Sequence, residues 1–298
     1  MISSKRASFW SWVGGKLERG WNKILDWDMY HTRFVLWRLD HLNRTSKLPV
    51  TDSRGPVVSL TSYGKRTDTV YLTLESIAAG SLRPSRLILW LDDNDIFSDL
   101  PESLKRLQER GAEIYISENY GPHEKYYPYV ASNGNFSVPL VTADDDTVYP
   151  RYWLDQLYRA YRKCPDVVHC FCARVVAFQN GVIVRYADWK YCSSPEPSSL
   201  HFATGVSGVI YPPRLLEHLK QAGLAFLQCC PKADDIWLHA VTIRAGYKIQ
   251  LIRKRSRHFT IIPGTQTTSL NRSNFIDGDG NDRQISATYT VDDLHLLQ

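Results

Sequence analysis

Apolar and polar positions along the chain change period twice. Near the start, Trp10, Val13, Leu17, Trp21 and Ile24 recur at steps of three and four, with Lys16, Arg19 and Lys23 falling towards the other side. That spacing predicts an amphipathic helix, weakened by Gly14, Gly15 and Gly20. From Thr45 to Pro56 the chain is rich in Thr, Ser, Pro and Gly, which predicts a linker. Short apolar runs then alternate with helical patterns. Strands are expected at Val57–Thr61, Arg86–Leu91, Ala112–Ile116 and Pro139–Ala143. Helices are expected at Thr69–Ala79, Leu100–Arg110 and Tyr152–Arg162, with Gly80 and Gly111 closing the first two. Such β-α-β-α-β order implies a mainly parallel sheet with right-handed crossovers.

The second half reads differently. Val167–Phe178 and Val182–Tyr186 alternate around Gln179-Asn180-Gly181, a hairpin signal. A Gly- and Ser-containing segment follows over Leu200–Tyr211, then helices at Arg214–Gln221 and Lys232–Ala245. From Thr260 onward the chain is polar and reads as loop, with Asn281 and Asp282 capping a short helix. The expected architecture is α/β: a helical arm over residues 1–50 and one domain with a mainly parallel central sheet over residues 51–298.

Composition narrows this. A hydrophobic fraction of 43% fills a sizeable core and excludes a disordered chain. No apolar run reaches bilayer length, and the start lacks the apolar core and cleavage site of a signal peptide. None of the six Cys forms a C-x-x-C pair, so reduced thiols in a cytoplasmic protein are expected rather than zinc. Residues 1–50 hold nine Lys or Arg against four Asp or Glu, and five of the nine Trp. The whole +5 excess therefore lies in the arm, and the remainder, with 27 of each sign, is formally neutral. A neutral body gives no reason to expect nucleic acid. A basic Trp-rich helix suits an anionic membrane surface at the inner face of the cell membrane, or packs on its own domain or on a second copy in a homo-oligomer.

The chemistry concentrates at Leu140–Pro150, where an apolar strand runs into Asp144, Asp145 and Asp146. Three adjacent carboxylates repel one another unless a cation sits on them. Mg²⁺ or Mn²⁺ prefers such oxygen ligands and shares them with nucleotide phosphates. The competing reading is a helix cap. In parallel sheets ligands lie beyond the carboxyl ends of the strands, and the triplet is placed there.

Four segments together resemble the GT-A (Rossmann-like) glycosyltransferases, and within them family 2-like bacterial enzymes that build surface polysaccharide. They are Val58-Ser59-Leu60-Thr61-Ser62-Tyr63-Gly64-Lys65-Arg66, Ala143-Asp144-Asp145-Asp146, Gly205-Val206-Ser207-Gly208-Val209-Ile210-Tyr211-Pro212, and Ala233-Asp234-Asp235-Ile236-Trp237-Leu238. The resemblance spans roughly residues 56–285. It implies a metal-dependent, inverting transfer of a sugar from a nucleotide diphosphate-sugar to a glycan or lipid-linked acceptor. Asp144 and Asp146 would form the Asp-x-Asp pair on Mn²⁺ or Mg²⁺, with Asp145 sharing the nucleotide side and His258 as a late third ligand. Asp235 would be the general base and Asp234 its neighbour, against helix capping as the alternative. Thr61, Ser62, Tyr63 and Arg66 would embrace the nucleotide, and Lys125 would approach the diphosphate. Gly205, Ser207, Gly208 and Trp237 would border the donor sugar and acceptor. Asp92, Asp93 and Asp95 read as a solvated loop, with a place facing the nucleotide base as the alternative.

Two other readings compete. A sugar nucleotidyltransferase shares the plan but normally has a Gly-rich basic loop after the first strand, where Ser62–Arg66 has one Gly. A membrane-associated sugar-binding scaffold would not need Asp144, Asp146 and Asp235 together.

Overall fold

The computed structural model describes residues 31–265 and 280–297. The chain divides after Thr45 into two units. In the first, residues 31–45 are helical (α1), and Phe34, Trp37 and His41 stack in succession with centroids 5.9 and 5.7 Å apart. The helix expected around Trp10–Ile24 lies outside the described residues. No described helix is long and apolar enough to cross a membrane.

The second unit opens with β1 (Val57–Ser62), α2 (Val70–Ala78), β2 (Arg86–Leu91), α3 (Asn94–Ser98), α4 (Glu102–Glu109), β3 (Ala112–Ile116), α5 (Tyr127–Ser132) and β4 (Leu140–Thr142). Then follow β5 (Thr147–Val148), α6 (Trp153–Lys163), β6 (Val167–Cys170), β7 (Ala173–Val175), β8 (Phe178–Gln179), β9 (Val182–Ile183), β10 (His201–Ala203) and β11 (Val209–Tyr211). The chain closes with α7 (Pro213–Ala222), α8 (Phe226–Cys229), α9 (Asp234–Arg244), β12 (Lys248–Leu251), β13 (Thr260–Ile261), α10 (Gly280–Thr288) and α11 (Val291–Leu297).

Seven strands form one sheet in the order β12-β6-β11-β4-β1-β2-β3. Only β11 is antiparallel to its neighbours, so the sheet is mixed and mainly parallel. The period of two along the strands sends alternate side chains to opposite faces. Leu87, Leu89 and Leu91 of β2 join a core with Leu74 of α2, Leu104 of α4 and Leu157 of α6. Ile88 and Trp90 join the opposite core with Val130 of α5, Leu215 of α7 and Leu238 of α9. The sheet is thus buried on both faces, as a parallel sheet requires.

Parallel direction places the ends of β1, β2, β3 and β4 along one edge, from which the segments at Thr61, Asp92, Tyr120 and Asp144 emerge. The reversal of β11 brings its beginning to that same edge: Val209 pairs with Thr142, the last residue of β4. The segment Gly205–Gly208, just ahead of Val209, is thereby set beside the Asp triplet. The strap at β13 pairs with β5 and continues the cover, with Ile262 N–H donating to the Asp146 carbonyl at 2.7 Å.

Three expectations need correction. The segment read as a linker belongs to the packed body: Val50 is fully buried and its N–H donates to the Arg110 carbonyl. The single strand expected over Val167–Phe178 breaks into β6, β7 and β8, because β6 belongs to the main sheet and β7 pairs with β10. In the polar tail, where one short helix was expected after Asn281 and Asp282, the described residues 280–297 form that helix, α10, and a further one, α11, anchored by Arg244, whose guanidinium meets the Asp293 carboxylate at 2.8 and 2.7 Å. The hairpin turn at Asn180-Gly181 forms between β8 and β9 as expected.

Candidate active site

A cavity of about 650 Å³ opens at the edge where the strands end. Its lining includes Thr61, Tyr63, Arg66, Lys125, Asp144, Asp145, Asp146, Gly205, Asp234, Asp235 and His258. Residues separated by nearly two hundred positions therefore share one space.

The floor is the Asp triplet. Arg66 reaches back from the 3₁₀ turn Gly64–Asp68 and grips two members at once, Nη1 to Asp145 Oδ1 at 2.5 Å and Nη2 to Asp146 Oδ2 at 2.7 Å. Ser62 adds a hydrogen bond from its hydroxyl to Asp145 Oδ2 at 2.7 Å. Burial pushes the Asp145 carboxyl up to about 6 despite the Arg66 charge. Asp146 is raised by burial and by Asp144 beside it, against Arg66 and Lys125. The guanidinium also donates to the Thr265 carbonyl at 3.3 Å, tying the floor to the strap.

Lys125 is held between two acidic groups, 2.8 Å from Asp144 Oδ1 and 3.3 Å from Asp234 Oδ2. Burial works against its charge, but Asp144, Asp234 and Asp235 outweigh that and hold its pKa well above the usual lysine value. Asp234 and Asp235 open α9. Asp234 lies deeper, and its Oδ2, off the line of a hydrogen bond from Lys125, has no donor. Asp235 accepts the Gly205 N–H at 3.0 Å and faces the cavity. Burial, then the Asp234 charge, holds its carboxyl well above the usual carboxylate range. Gly205 packs closely on these groups: a Cβ there would sit 3.2 Å from Asp235 Oδ1, a tight contact, and 3.5 Å from Lys125 Nζ, an ordinary one.

Sequence reasoning missed part of the lining. Glu124 takes the Thr61 hydroxyl at 2.7 Å and the Tyr120 N–H at 3.0 Å, and burial pushes it up to about 7. Arg174, Tyr186, Tyr191 and Phe202 form a further wall. No linear motif marks them, since they come from four separate segments. Asp92, read as solvated, lines the cavity and accepts the Asn119 amide at 2.6 Å. Asp93 caps α3.

Four predicted residues stand elsewhere. Ser62 lies beneath the floor and acts through Asp145. Ser207 is buried, with its hydroxyl on the Arg257 carbonyl and its own carbonyl accepting the Trp153 indole N–H at 2.8 Å. Gly208 makes room for that indole: a Cβ would lie 2.6 Å from Trp153 Cζ2, and φ is +88°. Trp237 is buried in the core among the contacts of Phe226 and Arg244. A helix turns about 100° per residue, so Trp237 points about 200° around α9 from Asp235.

The three-ligand set of Asp144, Asp146 and His258 is not assembled. His258 lies with Nε2 3.7 Å from Cys172 Sγ and its ring against Tyr191, and among the described residues no three His, Cys, Asp or Glu converge on one point. The charge balance nonetheless fits a divalent ion. Seven carboxyl groups line the cavity, the triplet, the α9 pair, Asp92 and Glu124, against the four cations Arg66, Lys125, Arg174 and Lys232. Mg²⁺ needs only one or two carboxylates when substrate phosphates complete its shell.

No family model and no curated protein matches the chain. Among solved structures, CMP:2-keto-3-deoxy-manno-octonic acid synthetase complexed with CTP aligns at 13% identity and a TM-score of 0.39, over 65% of this chain and 87% of that one. GalNAc-T7 with UDP, GalNAc and Mn²⁺ aligns at 11% identity and a TM-score of 0.48, over 72% of this chain but 44% of that longer one. At these values the functional reading rests on the geometry of the site itself.

Proposed function

We propose that this chain is a glycosyltransferase that moves a sugar from a nucleotide diphosphate-sugar to a hydroxyl of a glycan or lipid-linked acceptor, with inversion. The observation that carries it is the convergence of the Asp144–Asp146 triplet, Lys125 and the Asp234–Asp235 pair in one cavity at the strand ends. Transfer needs a place for developing negative charge on the leaving group and a base for the attacking hydroxyl. The triplet with Lys125 supports the first role and the α9 pair the second.

The residues divide the work. Tyr63 and Thr61, at the end of β1, border the nucleotide, with Asp92 and Glu124 beside them. Lys125 presents its ammonium at the junction of Asp144 and Asp234, where it meets the diphosphate. Asp144 and Asp146 would hold Mn²⁺ or Mg²⁺, which when bound with the diphosphate neutralises charge on the leaving group. Asp235 takes the acceptor proton. Its raised pKa makes it a stronger base than an exposed carboxylate, and Asp234, tied to Lys125, is less free to do so. Arg66 keeps the floor in place rather than touching substrate.

The nucleotidyltransferase reading differs in its product. Incubation with UDP-, GDP- and dTDP-sugars, with and without Mn²⁺, should release nucleoside diphosphate from one donor. Asp146→Asn should abolish that release while keeping the fold. Pyrophosphate release from a nucleoside triphosphate and a sugar phosphate would overturn the proposal in favour of nucleotidyl transfer. No reaction and no nucleotide binding would leave only a binding role. A cytoplasmic site at the inner face of the cell membrane, reached by the basic arm, belongs to this proposal.

A further inference from the structure

The cavity holds a cation that has no carboxylate partner among the described residues. Arg174 projects from β7, opposite Phe202 of β10 and bridged to Tyr191. Its guanidinium lies 5.0 Å from the Tyr186 ring centroid and 4.7 Å from that of Tyr191. One N–H of its fork donates to the Trp189 carbonyl at 2.7 Å. Among the described residues no carboxylate comes within ion-pair distance of it. Arg66 and Lys125 each hold two carboxylates in the same cavity.

This arrangement is preorganised. Two aromatic rings and a backbone carbonyl fix a planar fork whose remaining donors match a carboxylate or phosphate. Tyr191 is half exposed and offers an apolar ring face beside that fork. Arg174, Tyr186 and Asp235 line the same cavity, so the fork and the base face one space. The floor of the site, in contrast, is crowded with acids and repels a further anion unless a cation accompanies it.

We infer that Arg174, between Tyr186 and Tyr191, binds an anionic group, a carboxylate or a phosphate, on the acceptor, and so selects acidic sugars or phosphate-linked glycans over neutral ones. The assignment to the acceptor rests on the glycosyl-transfer reading; the anion site itself does not.

Binding to the full-length protein tests it by calorimetry with paired probes. One arm compares methyl glucuronide and methyl galacturonide with the matching neutral methyl glycosides. The other compares an octyl-phosphate-linked sugar with the plain octyl glycoside. UDP, GDP and dTDP are titrated separately, with Mn²⁺ present, to report the nucleotide side. At least one anionic probe should bind about tenfold or more tighter than its neutral twin, as expected of a charge-assisted pair. The arm that shows it identifies carboxylate or phosphate. Arg174→Gln should erase the preference and leave UDP binding unchanged; Arg174→Lys should restore only part of it. Equal binding of both twins in both arms by the unaltered protein overturns the inference, whatever the variants do. So does a preference that survives in Arg174→Gln. If UDP binds and the preference is missing, the anion site falls and the transferase reading stands. If the preference is present and none of UDP, GDP and dTDP binds with Mn²⁺ present, the reverse holds.

Discussion

Replacing Arg66 by Met keeps the stem of the side chain and removes its charge. The structure sets the size of the effect. The Arg66 side chain is 13% exposed, and its partners Asp145 and Asp146 are 4% and 10% exposed. Removing one member of a buried pair costs about 3–5 kcal/mol, because the other charge is left uncompensated. The folded protein has one escape, which is to protonate Asp145. With Arg66 present, burial already raises that carboxyl from an ordinary 3.8 to about 6, a difference worth about 3 kcal/mol between its charged and neutral forms. Without Arg66 it rises further. A carboxyl raised in the folded state stabilises fully below its unfolded pKa, and that stability is lost as pH rises through the folded value. The loss in Arg66→Met should therefore be largest on the alkaline side, about 3–5 kcal/mol near pH 8, and shrink by about half near pH 5.5. Urea denaturation followed by Trp fluorescence across that range, in EDTA so that no added ion substitutes, measures it. A loss below about 1 kcal/mol near pH 8, or one that does not change with pH, would refute the reasoning and show the pair to be solvated.

Three further expectations can be checked directly. Asp235→Asn should lower kcat by about 10²–10⁴ with the donor dissociation constant unchanged; if Asp234→Asn is the inactive variant instead, the base is one residue earlier. Gly208→Ala should lower the melting temperature, since the new Cβ meets the Trp153 indole at 2.6 Å on a backbone with φ of +88°, and overpacking of this kind costs about 1–3 kcal/mol; an unchanged melting curve argues against the tight fit. The full-length chain should sediment with anionic liposomes at low salt and release at high salt, while a chain beginning at Ser46 should not sediment; absence of binding at low salt rules out the membrane reading.

The legible part of the chain was its first half. Leu87–Leu91 and Val57–Leu60 are apolar runs short enough to be strands, and Gly111 marked the end of α4, so the parallel sheet followed from local pattern. Asp144–Asp146 stood out because charge rarely follows a buried strand without a purpose. What stayed hidden depends on contacts distant in sequence. Nothing near Lys125 announces that Asp144 and Asp234 enclose it, and nothing near Arg66 points to Asp145. Arg174, Tyr186 and Tyr191 look like ordinary strand and loop residues until β7 and β10 pair. The 3₁₀ turn Gly121–Lys125 and α5 were obscured by Pro122, Pro128 and a run of Tyr, which fit helix and strand patterns poorly. Trp237 was misjudged for a simpler reason, since adjacency to Asp235 in a helix does not mean a shared face.

The reversed strand also constrains how the molecule reaches its native state. The β1–β2 and β2–β3 pairings join neighbours close in sequence and can zip up early, whereas β4 must return beside β1 from Leu140 to Val57. β11 must then slot between β4 and β6, joining position 142 to position 209 before the sheet is continuous. Closing so long a loop is slow compared with forming local pairs. Until that happens Gly205 is not beside Asp235, Lys125 lacks its enclosure, and the floor acids face water without a roof. A refolding chain should regain its helical signal well before it regains nucleotide binding. Ligand capture would then serve as a clock for the final step of assembly, distinct from the collapse that precedes it.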